Sequence, residues 1–286
     1  MRHKALIDSS CALAVVKPGF EPDLAKQLPS PGKDCQHYSS LYLRMEFFRL
    51  WVITGIEIYF RARRVGNLAK ATEQYADAFG RLPKTCLSLQ SFYLQHVLQN
   101  PPTEPIENWG WFVLSLARTY DKLLHSLLSP SHTQCKKGAV RFNMEFGWPT
   151  LQDLLRDFHE RFMAEGFECS LDHLLGVTSG GRKNLNAIRQ ADEYTIREFP
   201  PKSRKPLKKI RQHLENFIGR GQVPDCTNCY KLGDLLIALE QPHGHTLYHT
   251  DWSFCAICPS LGKVNRRLEK CSPPARGELE ANNSEH

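Results

Sequence analysis

Three aspartates stand at positions where carboxylates do chemistry in α/β proteins. Asp8 closes HKALID, residues 3–8, whose consecutive Ala5, Leu6 and Ile7 suit a strand buried on both faces. Asp251 closes a second expected strand, His245–Thr250, which follows the turn Pro242-His243-Gly244. In open α/β sheets, sites form outside the carboxyl ends of the strands. Two strand-terminal aspartates from opposite ends of the chain therefore face one crevice if their strands are neighbours. Asp234 opens an expected helix, Lys231–Glu240, and leans over the same crevice. Each acid also has a bland role: Asp8 as a turn or cap, Asp251 as a helix cap, Asp234 as a first-turn partner of the helix dipole.

Cysteines make a second constellation. Cys226 and Cys229 form one C-x-x-C, and Cys255 and Cys258 another. Two such pairs match the ligand count of a tetrahedral Zn²⁺ site. The competing readings are packing, since Phe254, Cys255, Ile257 and Cys258 fall on an expected helix at residues 252–261, and redox chemistry. Cys11, Cys35, Cys86, Cys135, Cys169 and Cys271 are isolated and read as small hydrophobes.

A third feature is charge. The chain of 286 residues carries a net +7. Residues 181–220 hold 11 Lys or Arg against 4 Asp or Glu, which is 11 − 4 = +7, so the remainder is neutral. Within that stretch Lys202, Arg204, Lys205, Lys208, Lys209 and Arg211 lie close together, interleaved with prolines. A local positive field suits a phosphate-bearing partner, with salt-sensitive and sequence-independent affinity; the alternative is a solvated helix face. His243, His245 and His249 lie near Asp251, with His245 and His249 on one strand face, as a polar face or a general acid.

The elements that must position these groups follow from periodicity and breakers. Residues 17–40, with Pro18, Gly19, Pro22, Pro29, Pro31 and Gly32, read as a loop or broken helix. Residues 41–64 are one apolar helical segment or two abutting ones, with Glu57 beside Ile53, Ile56 and Phe60, and with Arg61, Arg63 and Arg64 at its end. A helix over 68–80 stops at Gly80 and Pro83, and 85–98 reads equally as strand or helix. Residues 100–107 form a proline-rich break, and Trp111–Leu128 reads as a helix. Thr150 caps an amphipathic helix with Leu151, Leu154, Leu155, Phe158 and Phe162 on one face. Residues 176–184 are a glycine-rich loop, and the polar tail 271–286 reads as disordered. Asp8 interrupts the apolar N-terminal run, which argues against a signal peptide. With no long uncharged stretch, no membrane span is expected and a cytoplasmic protein is.

Four blocks together carry a family resemblance: LIDSS at 6–10, VITGIEIYFRARR at 52–64, GDLLIALE at 233–240 and TLYHTDWSF at 246–254. The chain resembles PIN domains. The resemblance implies an α/β, three-layer fold with a central, mostly parallel sheet flanked by helices. It covers both ends of the chain but not the middle, and implies a single domain over residues 1–270. PIN domains are roughly half as long, so a largely helical insertion is expected at about 100–220. It places Asp8, Glu57, Asp234 and Asp251 on the family's acidic quartet and implies a ribonuclease. Oxygen ligands of this kind suit Mg²⁺ or Mn²⁺, which lowers the pKa of a bound water. Ser9, Ser10 and Thr250 would orient a water or a carboxylate. For Glu57, a helical i, i+4 pair with Arg61 is the alternative. RNA is the expected substrate. Two other functions fit the same resemblance: a non-catalytic module binding nucleic acid or protein, and the toxin of a toxin–antitoxin pair with an antitoxin-like partner.

Overall fold

A computed structural model describes residues 2–19, 21–32, 34–78, 104–127, 150–158 and 233–269, with Leu89, Tyr93, Arg204, Lys208 and Gln212. Five strands run parallel: β1 (His3–Ile7), β2 (Cys35–Ser40), β3 (His125–Leu127), β4 (His245–His249) and β5 (Val264–Arg267), in the order β3-β2-β1-β4-β5. Among the described helices, α1 (Ser9–Val16), α2 (Pro22–Gln27), α3 (Leu41–Phe47), α4 (Thr54–Val65), α5 (Leu68–Ala78), α6 (Pro105–Leu123), α7 (Leu151–Phe158), α8 (Gly233–Glu240) and α9 (Trp252–Ser260) surround the sheet. A π-helical stretch, Phe48–Ile53, joins α3 to α4.

An all-parallel sheet needs cover on both faces, and this one has it. Ala5 and Ile7 of β1 enter the main core with Phe47, Val52, Ile56, Trp109, Val113 and Tyr120. Leu6 lies between them, so its side chain faces the other way. On that side Leu6 and Leu247 are fully buried, as are Leu235 and Ile237 of α8 and Phe254 and Ile257 of α9. The expected α/β class with a central parallel sheet and flanking helices is therefore present.

Several local expectations match. β1 ends before Asp8 and β4 before Thr250. α8, α9 and α5 lie within the expected segments. Thr150 does cap α7: its hydroxyl accepts the Asp153 amide at 3.1 Å and reaches the Asp153 carboxylate at 2.7 Å.

Other elements depart from expectation. Residues 17–40 contain strand β2, CQHYSS, which carries too many polar side chains to read as a buried strand. Its polar groups are absorbed individually: His37 Nε2 meets the Pro29 carbonyl at 2.7 Å, and the Ser39 hydroxyl meets that of Tyr120 at 2.6 Å. The helix expected from Trp111 starts at Pro105, which lacks the amide that a first helical residue leaves unpaired anyway. Its expected C-terminal end is instead β3, which pairs with β2.

Residues 105–127, placed by sequence in an insertion, thus belong to the core. The Trp109 indole donates to the Gly55 carbonyl at 2.8 Å, and Tyr120 stacks on Phe47 at 4.0 Å between centroids. Buried Arg44 pairs with Asp121 at 2.8 Å and donates to the Leu124 carbonyl. The rest of the expected insertion, apart from α7 and three isolated residues, lies outside the described residues, as do the glycine-rich loop and the tail.

Candidate active site

From β1 the chain steps to β2 and β3 on one side, and it later returns to place β4 on the other side of β1. The order reverses between β1 and β4, and outside their carboxyl ends such a reversal opens a crevice. Asp8 follows β1 and Asp251 follows β4 closely. The two strand ends are stitched together: the Asp8 amide donates to the Tyr248 carbonyl at 3.0 Å, and the Thr250 amide donates to the Ser10 hydroxyl at 3.3 Å.

Asp8 is the N-cap of α1 and buried. Its Oδ2 accepts the Ser10 amide at 3.0 Å and also the Ser10 hydroxyl. The capping role and the site role therefore coexist in one side chain. Burial first, then the nearby charge of Glu46, raises its pKa to about 7 against the Ser10 hydrogen bonds, with Asp251 adding to the rise. Asp234, in the first turn of α8, accepts a hydrogen bond from the Ser253 hydroxyl of α9. Burial raises its pKa to about 7 as well, opposed by Ser253 and reinforced by Asp8 and Asp251.

Asp251 precedes α9 in the N-cap position, yet its carboxylate makes no capping hydrogen bond, and the residue is exposed. The cap-only role weighed for it is therefore not what the structure displays. Its charge acts instead on both Asp8 and Asp234.

The fourth carboxylate of this group is Glu46, not Glu57. Glu46 lies on α3, accepts the Ser9 hydroxyl at 2.8 Å and acts electrostatically on Asp8. Glu57 is exposed on α4 and is not among the charges that act on Asp8 or Asp234. The cause is distance along the helix. α3 starts directly after β2, so Glu46 lies within two turns of the sheet's carboxyl edge. Glu57 is 17 residues beyond Ser40, roughly 25 Å further at helical rise. The signal that finds Glu46 is its place shortly after a strand end, and it is hidden while β2 goes unread.

Ser9 and Ser10 thus orient carboxylates, as expected, and Ser253 joins them; Thr250 enters through its amide. His249 is fully buried, bonded through Nε2 to Asn265 Oδ1 at 3.0 Å, and burial lowers its pKa. It forms part of a polar strand face with buried His245, while His243 is exposed on the turn.

Cys226 and Cys229 lie outside the described residues. Cys258 is buried on α9, where burial first and the neighbouring Cys255 next push its thiol up to about 12. Of the six basic positions, Arg204 and Lys208 are helical, the first half-buried and the second exposed; Lys202, Lys205, Lys209 and Arg211 lie outside the described residues.

Among the described residues, no three His, Cys, Asp or Glu side chains stand in an arrangement that holds a metal ion, and no helix is long and apolar enough to cross a membrane. The donor chemistry nevertheless suits a hard divalent cation: oxygen ligands, two of them carboxylates whose ionisation is held back by burial and by neighbouring carboxylates. No protein-family model, no curated protein and no solved structure matches the chain.

Proposed function

We propose that this chain is a PIN-like, metal-dependent ribonuclease that hydrolyses RNA phosphodiester bonds at the crevice lined by Asp8, Glu46, Asp234 and Asp251. The observation that carries the reading is the convergence of acids from three distant segments at the carboxyl ends of β1 and β4, with a serine hydroxyl on Asp8, Glu46 and Asp234 in turn. Two carboxylates whose pKa burial raises to about 7, at a strand-end crevice, support this reading.

Asp8, Asp234 and Asp251, with Glu46, would hold Mg²⁺ or Mn²⁺. Such an ion supplies an activated water and stabilises charge on the phosphate. The chain's own groups do the positioning. Ser10 and Ser253 fix the Asp8 and Asp234 carboxylates by hydrogen bonds, and Ser9 fixes Glu46. Exposed Asp251 presents its carboxylate at the crevice mouth, where substrate enters.

Cleavage of a panel of single-stranded and structured RNAs with Mn²⁺, Mg²⁺ or EDTA tests this, comparing wild type with Asp251→Asn. The substitution keeps shape and removes a ligand charge. Metal-dependent cutting lost in the variant supports the nuclease. A second reading, a non-catalytic nucleic-acid-binding module, is favoured by the concentration of the net +7 charge within residues 181–220. Folded protein that binds RNA but cuts none of the panel would support it.

A further inference from the structure

Beside the acidic crevice lies an aromatic–cationic pair that the acids do not account for. Arg267 ends β5 and stands in register with His249 of β4, and the next amide, Leu268, donates to the His249 carbonyl at 2.7 Å. This brings Arg267 to the carboxyl edge of the sheet, next to the strand that leads into Asp251. Trp252 follows Asp251 directly. The Arg267 guanidinium carbon lies 3.8 Å from the centroid of the Trp252 indole, a stacked cation–π contact. Arg266, one residue earlier, is in register with Tyr248 and faces the opposite side of the sheet.

Resting on the nuclease reading, we infer that Arg267, held flat on Trp252, is a positioning residue that grips a backbone phosphate of single-stranded RNA beside Asp251. Three observations carry this. First, four carboxylates in a crevice repel a polyanion, so a cation at its rim is what draws the strand in. Second, the contact with the indole and a side chain only 22% exposed already restrict the rotamers of Arg267. Its planar fork of N–H donors is therefore set to meet two phosphate oxygens at little further entropic cost. Third, its present partner is easily exchanged. Nη2 reaches Glu269 Oε1 at 2.9 Å, but the Glu269 side chain is 78% exposed, and such surface pairs contribute little. Glu269 serves as a stand-in anion that a phosphate displaces. The stack also presents a flat surface against which an unstacked base can lie, which favours single strands over duplex.

The test uses the full chain and a fluorescein-labelled, mixed-sequence, single-stranded RNA in EDTA, so that binding is read without cutting. Fluorescence anisotropy is followed over a series of salt concentrations. Arg267→Ala is expected to weaken binding about tenfold, the loss of a charge-assisted hydrogen bond. It should also make the log–log salt slope shallower by about 0.7, one phosphate contact. Arg267→Lys keeps the charge without the fork, so it should retain the slope and lose affinity. Glu269→Gln, an exposed change that leaves folding intact, should bind up to about fivefold tighter, because the competing carboxylate is gone. The effect of Arg267→Ala should be absent on an RNA duplex.

If wild type binds RNA while Arg267→Ala and Glu269→Gln leave affinity and slope unchanged, the inference fails and the acidic-crevice reading stands. An equal loss on duplex overturns the single-strand assignment. Wild type that neither binds nor cuts any RNA overturns both.

Discussion

Asp234 should destabilise the metal-free protein at neutral and alkaline pH, so Asp234→Asn should stabilise it there. Its carboxyl pKa is raised from 3.8 to about 7 in the folded state, chiefly by burial. Well below pH 3.8 the group is protonated in both folded and unfolded chains and costs nothing. Between about pH 4 and 7 the folded chain holds a proton that the unfolded chain releases, so stability falls as pH rises and levels off above 7. A shift of about three units at 1.36 kcal/mol each sets a ceiling of about 4 kcal/mol. Asp234 is half-buried, so solvent screening brings the expected gain down to about 2 kcal/mol. Asparagine retains an oxygen to accept the Ser253 hydroxyl, so the packing of α8 on α9 is kept. The assay is urea unfolding followed by tryptophan fluorescence at pH 8 and pH 4.5, in EDTA and in saturating Mn²⁺. The variant should be the more stable at pH 8 in EDTA, with most of that difference gone at pH 4.5. Mn²⁺ at a hundredfold excess over its Kd should return about 2.7 kcal/mol to wild type and much less to the variant. An Asp234→Asn protein less stable than wild type at pH 8 in EDTA would refute the reasoning, because the carboxylate would then be a net stabilising partner of Ser253.

Three further outcomes follow from the geometry. Ser253→Ala removes the hydrogen bond that holds the Asp234 pKa down, so the acid limb of any pH–rate profile should move to higher pH, with no such move in Ser260→Ala, whose hydroxyl bonds only the Ala256 carbonyl. Gly233→Ala places a Cβ 2.6 Å from the buried Tyr42 hydroxyl, so it should destabilise by about 1–3 kcal/mol and, on the proposed function, slow cleavage by displacing Asp234; Tyr42→Phe in the same chain should restore most of both, measured by thermal unfolding and initial rates. Arg44→Met leaves Asp121 without its 2.8 Å partner and the Leu124 carbonyl without a donor, and should cost about 3–5 kcal/mol in chemical denaturation, whereas Arg63→Met, losing an exposed pair with Glu107, should cost under about 1 kcal/mol.

Local signals made much of this architecture legible. Ala5-Leu6-Ile7 followed by Asp8, and the succession Gly233–Glu240, tight turn, His245–His249 and Asp251, state their own elements because hydrophobic period, cap and turn chemistry act within a few residues. Asp8, Asp234 and Asp251 were accessible for the same reason: each is tied to an element boundary. The α/β class was an expectation from the family resemblance that those blocks carry. The polar strands were not legible. β2 (CQHYSS), β3 (HSL) and β5 (VNRR) lack an apolar run; β2 and β5 are strands because β1 and β4 offer them ladder partners, and β3 because β2 does. Pairing across the sheet is a tertiary interaction and overrides weak local preference.

The amino-acid sequence by itself therefore determined the two central strands, the helices that cover them and three of the four acids. Tertiary structure alone decided the rest. Glu46 and Glu57 are eleven residues apart, about three helical turns, so an unbroken α-helix would carry both on nearly one face and sequence period cannot choose between them. The choice was made by where α3 leaves the sheet, which keeps Glu46 within two turns of its carboxyl edge and puts Glu57 well beyond. The meeting of Asp8 with Asp234 and Asp251, the near-neutral pKa values that result, and the stacking of Arg267 on Trp252 all join segments far apart in the chain. Such contacts depend on which strands lie side by side, and spacing along the sequence carries no record of that.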